Sequence, residues 1–82
     1  MNHDEARAVI ANSLRRIAPE ADLTTVDGTQ PLQDELDLDS MDFLNLMVAI
    51  AEHTGVEIPE RDYPAVATLD GLVRYLADRR TA

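Results

Sequence analysis

The residues best suited to chemistry lie together at positions 37–42, with the sequence Asp-Leu-Asp-Ser-Met-Asp. This segment runs directly into a mostly apolar stretch, residues 41–51, which predicts a helix. Asp39 is a good N-cap for that helix, and Asp42 places negative charge in its first turn. We therefore expect Ser40 to begin the helix with its hydroxyl exposed.

A calcium site is one interpretation of this segment, because its carboxylates alternate as in the first part of an EF-hand loop. Counted from Asp37, however, the loop's required glycine is replaced by Asp42 and its bidentate glutamate by Val48. The pattern fails at both positions, and we predict no bound metal.

Hydrolysis with Ser40 as the nucleophile is a second interpretation, and it requires a base such as histidine within hydrogen-bond reach. His53 stands at the far end of the helix that Ser40 begins, roughly 20 Å away at the helical rise per residue. His3 lies near the start of the chain. A chain this small also offers little concave volume for a substrate. We therefore predict no catalytic residues and no enzyme activity.

Modification of Ser40 by another enzyme is a third interpretation. Unpaired backbone N–H groups and the dipole at a helix start stabilise a phosphate ester. Serine is also common at helix starts for purely structural reasons. The position of the serine alone leaves both possibilities open.

The elements that position this segment are predicted to be helices. Apolar spacing and capping residues indicate main helices at about residues 4–18, at about 40–53, and after Thr68, with Arg79 and Arg80 near the end of the last one. A short helix is predicted at residues 60–66. A long loop, residues 19–39, carries regular apolar residues that predict contact with the helices, and it includes one helical turn at 31–36. The predicted fold is all-α: a small bundle of three main helices plus one short helix, with the long loop between helices 1 and 2.

A helical wheel of the helix that begins at Ser40 predicts which of its residues face the core. The residues predicted to face inward are Phe43, Leu44, Met47, Ile50 and Ala51. Those predicted to face outward are Asp42, Asn45, Ala49, Glu52 and His53. Met41 and Val48 fall on the border between the two faces.

The composition excludes several classes of function. The chain of 82 residues has a net charge of −9, and eleven carboxylates between residues 17 and 60 are accompanied by no lysine or arginine. Such a field repels nucleic acids and anionic lipid surfaces and attracts basic protein patches. The absence of cysteine and lysine removes thiolate and Schiff-base chemistry. Since no signal peptide or membrane span is visible, we predict a cytoplasmic protein. We also expect it to be a monomer.

Three segments together resemble the acyl carrier protein family. They are Asp39-Ser40-Met41 with the apolar helix behind it, Gly-Val-Glu-Ile-Pro at 55–59, and Thr-Leu-Asp-Gly-Leu-Val-Arg-Tyr-Leu at 68–76. The resemblance covers nearly the whole chain, and the length and acidity agree with it. It implies an acyl-carrier-like helical bundle that forms a single acyl carrier domain over residues 1–82.

The resemblance also implies that Ser40 receives 4'-phosphopantetheine from coenzyme A, through a separate phosphopantetheinyl transferase that supplies Mg²⁺ and the catalytic groups. Asp39 matches the family's preceding acid, and we expect it to cap the helix and to help orient Ser40. The chain would then carry acyl groups as thioesters on the arm and deliver them to enzymes of fatty acid, polyketide or related lipid biosynthesis.

The expected docking surface follows from the same resemblance, because family members use the positions of Met41, Leu44 and Val48 for docking. This apolar patch is expected to be ringed by Asp42, Asn45 and Glu52. Basic patches of acyl-transfer or synthase enzymes are the expected partners, with weak and salt-sensitive binding.

Two features differ from the carriers of fatty acid synthases. Asp37 stands where glycine is common, and Asn45, Ala49 and His53 stand where acids are common. A specialised polyketide, lipid or peptide pathway is therefore equally compatible with the sequence. The alternatives are an aminoacyl or peptidyl carrier of a nonribosomal peptide pathway, and an acidic adaptor without a prosthetic group. The aliphatic interior, with Met47 as an adaptable filler, further predicts that an acyl chain can slip between the helices.

Overall fold

The computed structural model describes residues 1–78, and in this range the fold is helical and contains no strand. The α-helices are α1 (His3–Arg15), α2 (Leu32–Glu35), α3 (Ser40–Thr54) and α4 (Leu69–Asp78). Two 3-10 helices lie at Leu23–Thr25 and Glu60–Val66. The predicted all-α bundle is confirmed. Arg79 and Arg80, predicted near the end of the last helix, lie outside the described residues.

Helix α1 differs from its prediction at both ends. It begins at His3 because Asn2 and Glu5 form a capping box, in which the Asn2 side chain accepts a hydrogen bond of 2.8 Å from the Glu5 N–H. It ends at Arg15, three residues before the predicted end. The residue before Pro19 is sterically biased away from helical backbone, so the helix unwinds before it reaches the proline.

The core is aliphatic and lies where α1, α3 and α4 meet. Its fully buried residues include Ile10 and Leu14 from α1, Leu46 and Ile50 from α3, and Leu69, Leu72 and Leu76 from α4. Val73 of α4 is also buried, so this helix turns one apolar side toward the core. Ser13 of α1 is polar but buried, unlike the apolar residues that make up the core. Its hydroxyl has no hydrogen-bond partner within residues 1–78.

The long connection between α1 and α3 packs against the core, as predicted. Leu23, Leu32 and Leu38 are buried, and α2 supplies the predicted single helical turn. Two aspartates in this connection accept hydrogen bonds from threonines two residues on. The side-chain and backbone hydrogen bonds from Thr24 lower the pKa of Asp22, and those from Thr29 lower the pKa of Asp27. These turns fix the connection without regular secondary structure.

The second 3-10 helix, Glu60–Val66, confirms the predicted short helix. Pro64 lies inside it and has no backbone N–H to donate, which is compatible with this short, tight form of helix. The helix is held against its neighbours by side chains: the Tyr75 hydroxyl of α4 donates to Asp62 at 2.8 Å, and the Tyr63 ring packs edge-on against Phe43 of α3 at a centroid distance of 5.6 Å.

Candidate functional site

Ser40 is the first residue of α3, and the structure shows how the sequence around it fixes this start. The Asp39 carboxylate accepts a hydrogen bond of 2.8 Å from the Asp42 N–H, and the Asp42 carboxylate accepts one of 3.4 Å from the Asp39 N–H. This reciprocal capping box confirms Asp39 as the N-cap and places Asp42 in the first turn. Because both bonds are local, residues 39–42 by themselves fix where the helix starts.

The Ser40 side chain is exposed, as predicted. Within residues 1–78 its hydroxyl makes no hydrogen bond, and no group of histidines and carboxylates is placed to hold a metal ion. The hydroxyl therefore stands free at the positive end of a helix of fifteen residues. Such a group is available to an external enzyme that transfers a phosphate ester to it.

The three residues before the capping box turn the chain sharply. Asp37 has left-handed backbone with φ 54°, and the Leu38 N–H donates to the Gln33 carbonyl at 2.9 Å. This pattern closes the C-terminus of α2 in the manner of a Schellman motif. The Leu38 side chain is buried and anchors the turn. The candidate serine is thus presented between an anchored turn and a capped helix.

The predicted docking residues lie on one exposed face of α3. The relative exposure is 64% for Met41, 37% for Leu44 and 49% for Val48, and these are the exposed large apolar side chains of the described residues. Their spacing of three and four residues aligns them along the helix. We call these three residues the exposed strip. The predicted rim flanks it: Asn45 and Glu52 are exposed, and Asp42 is half-buried.

The helical wheel was wrong for two residues of α3 and left out a third. Leu44, predicted to face inward, is exposed, and Ala49, predicted to face outward, is 7% exposed. Leu46, which the wheel did not assign, is fully buried. Apolar residues surround most of this helix, so its own sequence does not define the buried side. The contacts with α1 define it instead.

A groove beside Ser40 was not predicted from the sequence. It has a volume of about 410 Å³ and is lined by Gln33, Ser40, Phe43, Leu44, Glu60, Tyr63, Pro64 and Ala67. These residues come from α2, from the start of α3, and from the second 3-10 helix and the residue after it. No local sequence signal connects three such segments, and only their packing forms the groove.

Comparisons with known proteins point to one family. Residues 7–76 match the family described as "Phosphopantetheine attachment site". An acyl carrier protein of Syntrophobacter fumaroxidans is 33% identical over 78 residues, which cover 90% of this chain and 85% of that protein. One of Helicobacter pylori is 29% identical over 83 residues, covering 96% of this chain and 95% of that protein.

A third relative is named as a mitochondrial acyl carrier protein, from Neurospora crassa. It is 28% identical over 82 residues, covering all of this chain and 61% of that longer protein. With the helical fold, these matches define the class as phosphopantetheine-binding carriers. The chain belongs to the acyl carrier protein family, whose cofactor is phosphopantetheine.

The residues present fit this cofactor. A phosphoester needs an accessible hydroxyl, which Ser40 has, and an anionic phosphate is stabilised by the N–H groups of a helix start. The long amide-containing arm has an apolar groove directly beside that hydroxyl. When bound, the group supplies a terminal thiol that the cysteine-free chain does not have.

Proposed function

We propose that the chain carries acyl intermediates as thioesters on a 4'-phosphopantetheine arm attached to Ser40. It delivers them to partner enzymes of fatty acid, polyketide or related lipid biosynthesis, and it catalyses no reaction itself. The observation that supports this proposal is the exposed Ser40 hydroxyl at the capped start of α3. We further propose that residues 1–82 act as one carrier domain, as a monomer in the cytoplasm.

In the loading reaction, the chain's contribution is positional. The oxygen of Ser40 forms the new phosphoester bond while the pyrophosphate bond of coenzyme A breaks and the adenosine bisphosphate leaves. The hydroxyl proton passes to a base of the phosphopantetheinyl transferase. Asp39 fixes the helix start through the Asp42 N–H, and its second carboxylate oxygen is available to help orient the serine toward the transferase's Mg²⁺.

The measurement that tests attachment is the intact mass after incubation with coenzyme A, Mg²⁺ and a promiscuous phosphopantetheinyl transferase. We expect one added phosphopantetheine on the wild type and none on Ser40→Ala. Failure of the wild type to gain mass would support an acidic adaptor without a prosthetic group. Addition to both proteins would place the arm on another residue.

The two roles of Asp39 are separated by substitution. Asn is as good an N-cap as Asp, so Asp39→Asn should keep the melting temperature of the wild type and still slow loading. Asp39→Ala should slow loading and also lower the free energy of unfolding by about 1 kcal/mol. Equal loading rates for Asp39→Asn and wild type would leave Asp39 with the capping role alone.

We propose that basic partners, the transferase among them, dock on the exposed strip and its rim of Asp42, Asn45 and Glu52. Contact with a partner would remove these exposed apolar side chains from water, which favours binding. The negative charge around them attracts basic surfaces of the partner. No nucleic acid or membrane is expected to bind this surface. Docking should weaken as salt increases.

A matched pair of arginine substitutions tests this surface. Val48→Arg places a cation in the middle of the exposed strip, whereas Ala8→Arg places the same side chain on the exposed face of α1. We expect Val48→Arg to raise the transferase KM about tenfold, which corresponds to about 1.4 kcal/mol, and Ala8→Arg to leave it unchanged. Equal effects of the two substitutions would contradict docking at this strip.

The cargo class is tested by acyl-transfer assays with the loaded protein. We expect thioester formation with fatty or polyketide acyl donors. Loading by amino-acid-activating enzymes alone would instead identify an aminoacyl or peptidyl carrier.

A further inference from the structure

The three methionines of the chain differ in their exposure to solvent. The Met41 side chain is 64% exposed, whereas Met47 of the same helix is 2% exposed and belongs to the hydrophobic core. Met1 is half-buried and packs against that core. A small oxidant dissolved in water therefore reaches the thioether of Met41 more easily than those of the other two.

Met41 also occupies the functional end of α3. It follows Ser40 directly in the sequence, and it is the first and most exposed member of the exposed strip. The strip has only two other members, Leu44 and Val48. A change in the polarity of Met41 therefore alters a large share of the apolar surface that is offered to a partner.

Oxidation of a thioether by a peroxide is a simple two-electron step. The sulfur lone pair attacks one peroxide oxygen and the O–O bond breaks. The sulfur is oxidised to a sulfoxide while hydrogen peroxide is reduced to water. The product is polar and accepts hydrogen bonds, unlike the thioether. Because hydrogen peroxide is uncharged, the carboxylates of Asp39 and Asp42 beside Met41 do not repel it.

We propose that Met41 is an oxidation site at which peroxides weaken the docking of the transferase and of other partner enzymes. The sulfoxide puts a polar group on a surface that is buried on contact, and a buried polar group without a hydrogen-bond partner is unfavourable. The change leaves the Ser40 hydroxyl intact, so it acts on recognition of the carrier. It is reversible, because methionine sulfoxide reductases restore the thioether. This inference rests on the proposed function, since it requires partners that dock on the exposed strip.

Oxidation of Met41 should leave the fold unchanged. Most of its side chain already lies in water, and the capping box at the start of α3 is made by Asp39 and Asp42 alone. Oxidation of Met47 would instead place a polar group in the core and lower the stability. The melting temperature therefore distinguishes a change at the docking surface from damage to the fold.

The first test measures where the oxygen is added. The protein without its arm, which has no thiol, is treated with hydrogen peroxide, and the sulfoxide at each methionine is followed over time by peptide mass spectrometry. We expect Met41 to be oxidised at least about tenfold faster than Met47. The melting temperature should not change while Met41 alone is oxidised. Equal rates at the two residues, or a fall in melting temperature at this stage, would overturn the proposal.

The second test measures loading of the protein oxidised at Met41. We expect the transferase KM to rise about tenfold while kcat changes little, because the sulfoxide opposes docking and not the chemical step. Treatment with methionine sulfoxide reductases of both stereospecificities should restore the original KM. A KM that is the same before and after oxidation contradicts the proposal, and so does a raised KM that the reductases do not reverse.

A matched pair of leucine substitutions supplies the control, since leucine has nearly the volume of methionine and no sulfur. Met41→Leu removes the exposed thioether, and Met47→Leu removes the buried one. Each variant is compared with itself before and after peroxide treatment. We expect Met41→Leu to show no rise in KM and Met47→Leu to show the rise of the wild type. A rise in Met41→Leu would place the sensitive group elsewhere.

Intact mass separates this proposal from the proposed function. A wild type that gains no phosphopantetheine before any oxidation contradicts attachment to Ser40. A wild type that is loaded equally well before and after oxidation of Met41 contradicts only the oxidation site. If Met47→Leu does not fold, the wild type, its reversal by the reductases and Met41→Leu still decide the inference.

Discussion

At the scale of single residues, the presentation of Ser40 depends on a turn with a conformational cost. Asp37 holds left-handed backbone at φ 54°, a region in which a Cβ is crowded by the neighbouring carbonyl. Aspartate tolerates this region better than most residues but less well than glycine. Two contacts of Leu38 stabilise the turn: its N–H donates to the last turn of α2, and its side chain is buried.

Replacing Asp37 with glycine should therefore stabilise the protein. We expect Asp37→Gly to raise the free energy of unfolding by roughly 0.5–1 kcal/mol. Removing the Cβ removes the steric cost of the left-handed conformation, and the greater flexibility of glycine in the unfolded chain offsets part of this gain. Urea denaturation measures the change. Asp37→Asn removes the charge but keeps the Cβ, and it should give less than half the gain. Equal gains would show that charge, rather than backbone, carries the effect.

The buried hydroxyl of Ser13 is a second local cost. A hydroxyl taken out of water without a partner costs about 1–3 kcal/mol, and Ser13 is 2% exposed with no partner within the described residues. Ser13→Ala should raise the free energy of unfolding by about 1 kcal/mol, with a further small gain in helix propensity. Thermal and urea unfolding measure this. A loss of stability would show that the hydroxyl has a partner in solution.

At the scale of elements, the second 3-10 helix connects the site to the core. It contacts α3 through the Phe43 and Tyr63 rings and α4 through Asp62 and Tyr75. Close approach to α4 also requires glycine at position 71, because a Cβ there would overlap the carbonyl oxygen of Ala65. The position of this helix, and hence the width of the groove, depends on that missing side chain.

Gly71→Ala should destabilise the protein even though alanine favours a helix by about 1 kcal/mol. Overlap with a backbone carbonyl forces the 3-10 helix to move, and such overpacking costs about 1–3 kcal/mol. Gly28→Ala is a matched control, since the three atoms nearest to its Cβ would all belong to the exposed side chain of Asp70, which can move aside more easily than backbone. We expect little change there. Similar effects of the two substitutions on the urea midpoint would contradict this account.

At the scale of the whole molecule, charge is distributed unevenly over a body with a radius of gyration of 11.3 Å. The net charge is −9, and the central acids have no basic residue between them in the sequence. At physiological ionic strength the Debye length is about 8 Å, so neighbouring carboxylates repel one another while pairs across the molecule are largely screened; at low ionic strength the repulsion extends over the whole surface. No helix within residues 1–78 is both long and apolar enough to span a membrane.

Added salt should therefore stabilise the folded chain while it weakens partner binding. Screening reduces the repulsion among native carboxylates, so we expect the melting temperature to rise from low to physiological NaCl. Glu35→Gln combined with Asp34→Asn should show a smaller rise, because two exposed charges are already gone. A melting temperature that falls with salt in the wild type would show that attractive ion pairs dominate.

The parts of the fold that depend on local contacts were predictable from the sequence. The start of α3 was placed correctly because the capping box joins Asp39 to Asp42. The end of that helix was predicted within one residue, because Gly55 adopts left-handed backbone at φ 75°. The order of motifs that indicated the carrier family was likewise present in the chain itself. The exposure of Ser40 followed from its position at the helix start.

Other features were decided only by tertiary structure. The buried side of α3, with Ala49 inside and Leu44 outside, was set by the elements that pack against it. The groove joins three segments that are distant in sequence, and the partnerless hydroxyl of Ser13 depends on what surrounds it. The physical reason is range: hydrogen bonds between residues two to four apart are fixed by local sequence, whereas side-chain packing depends on which distant surfaces meet.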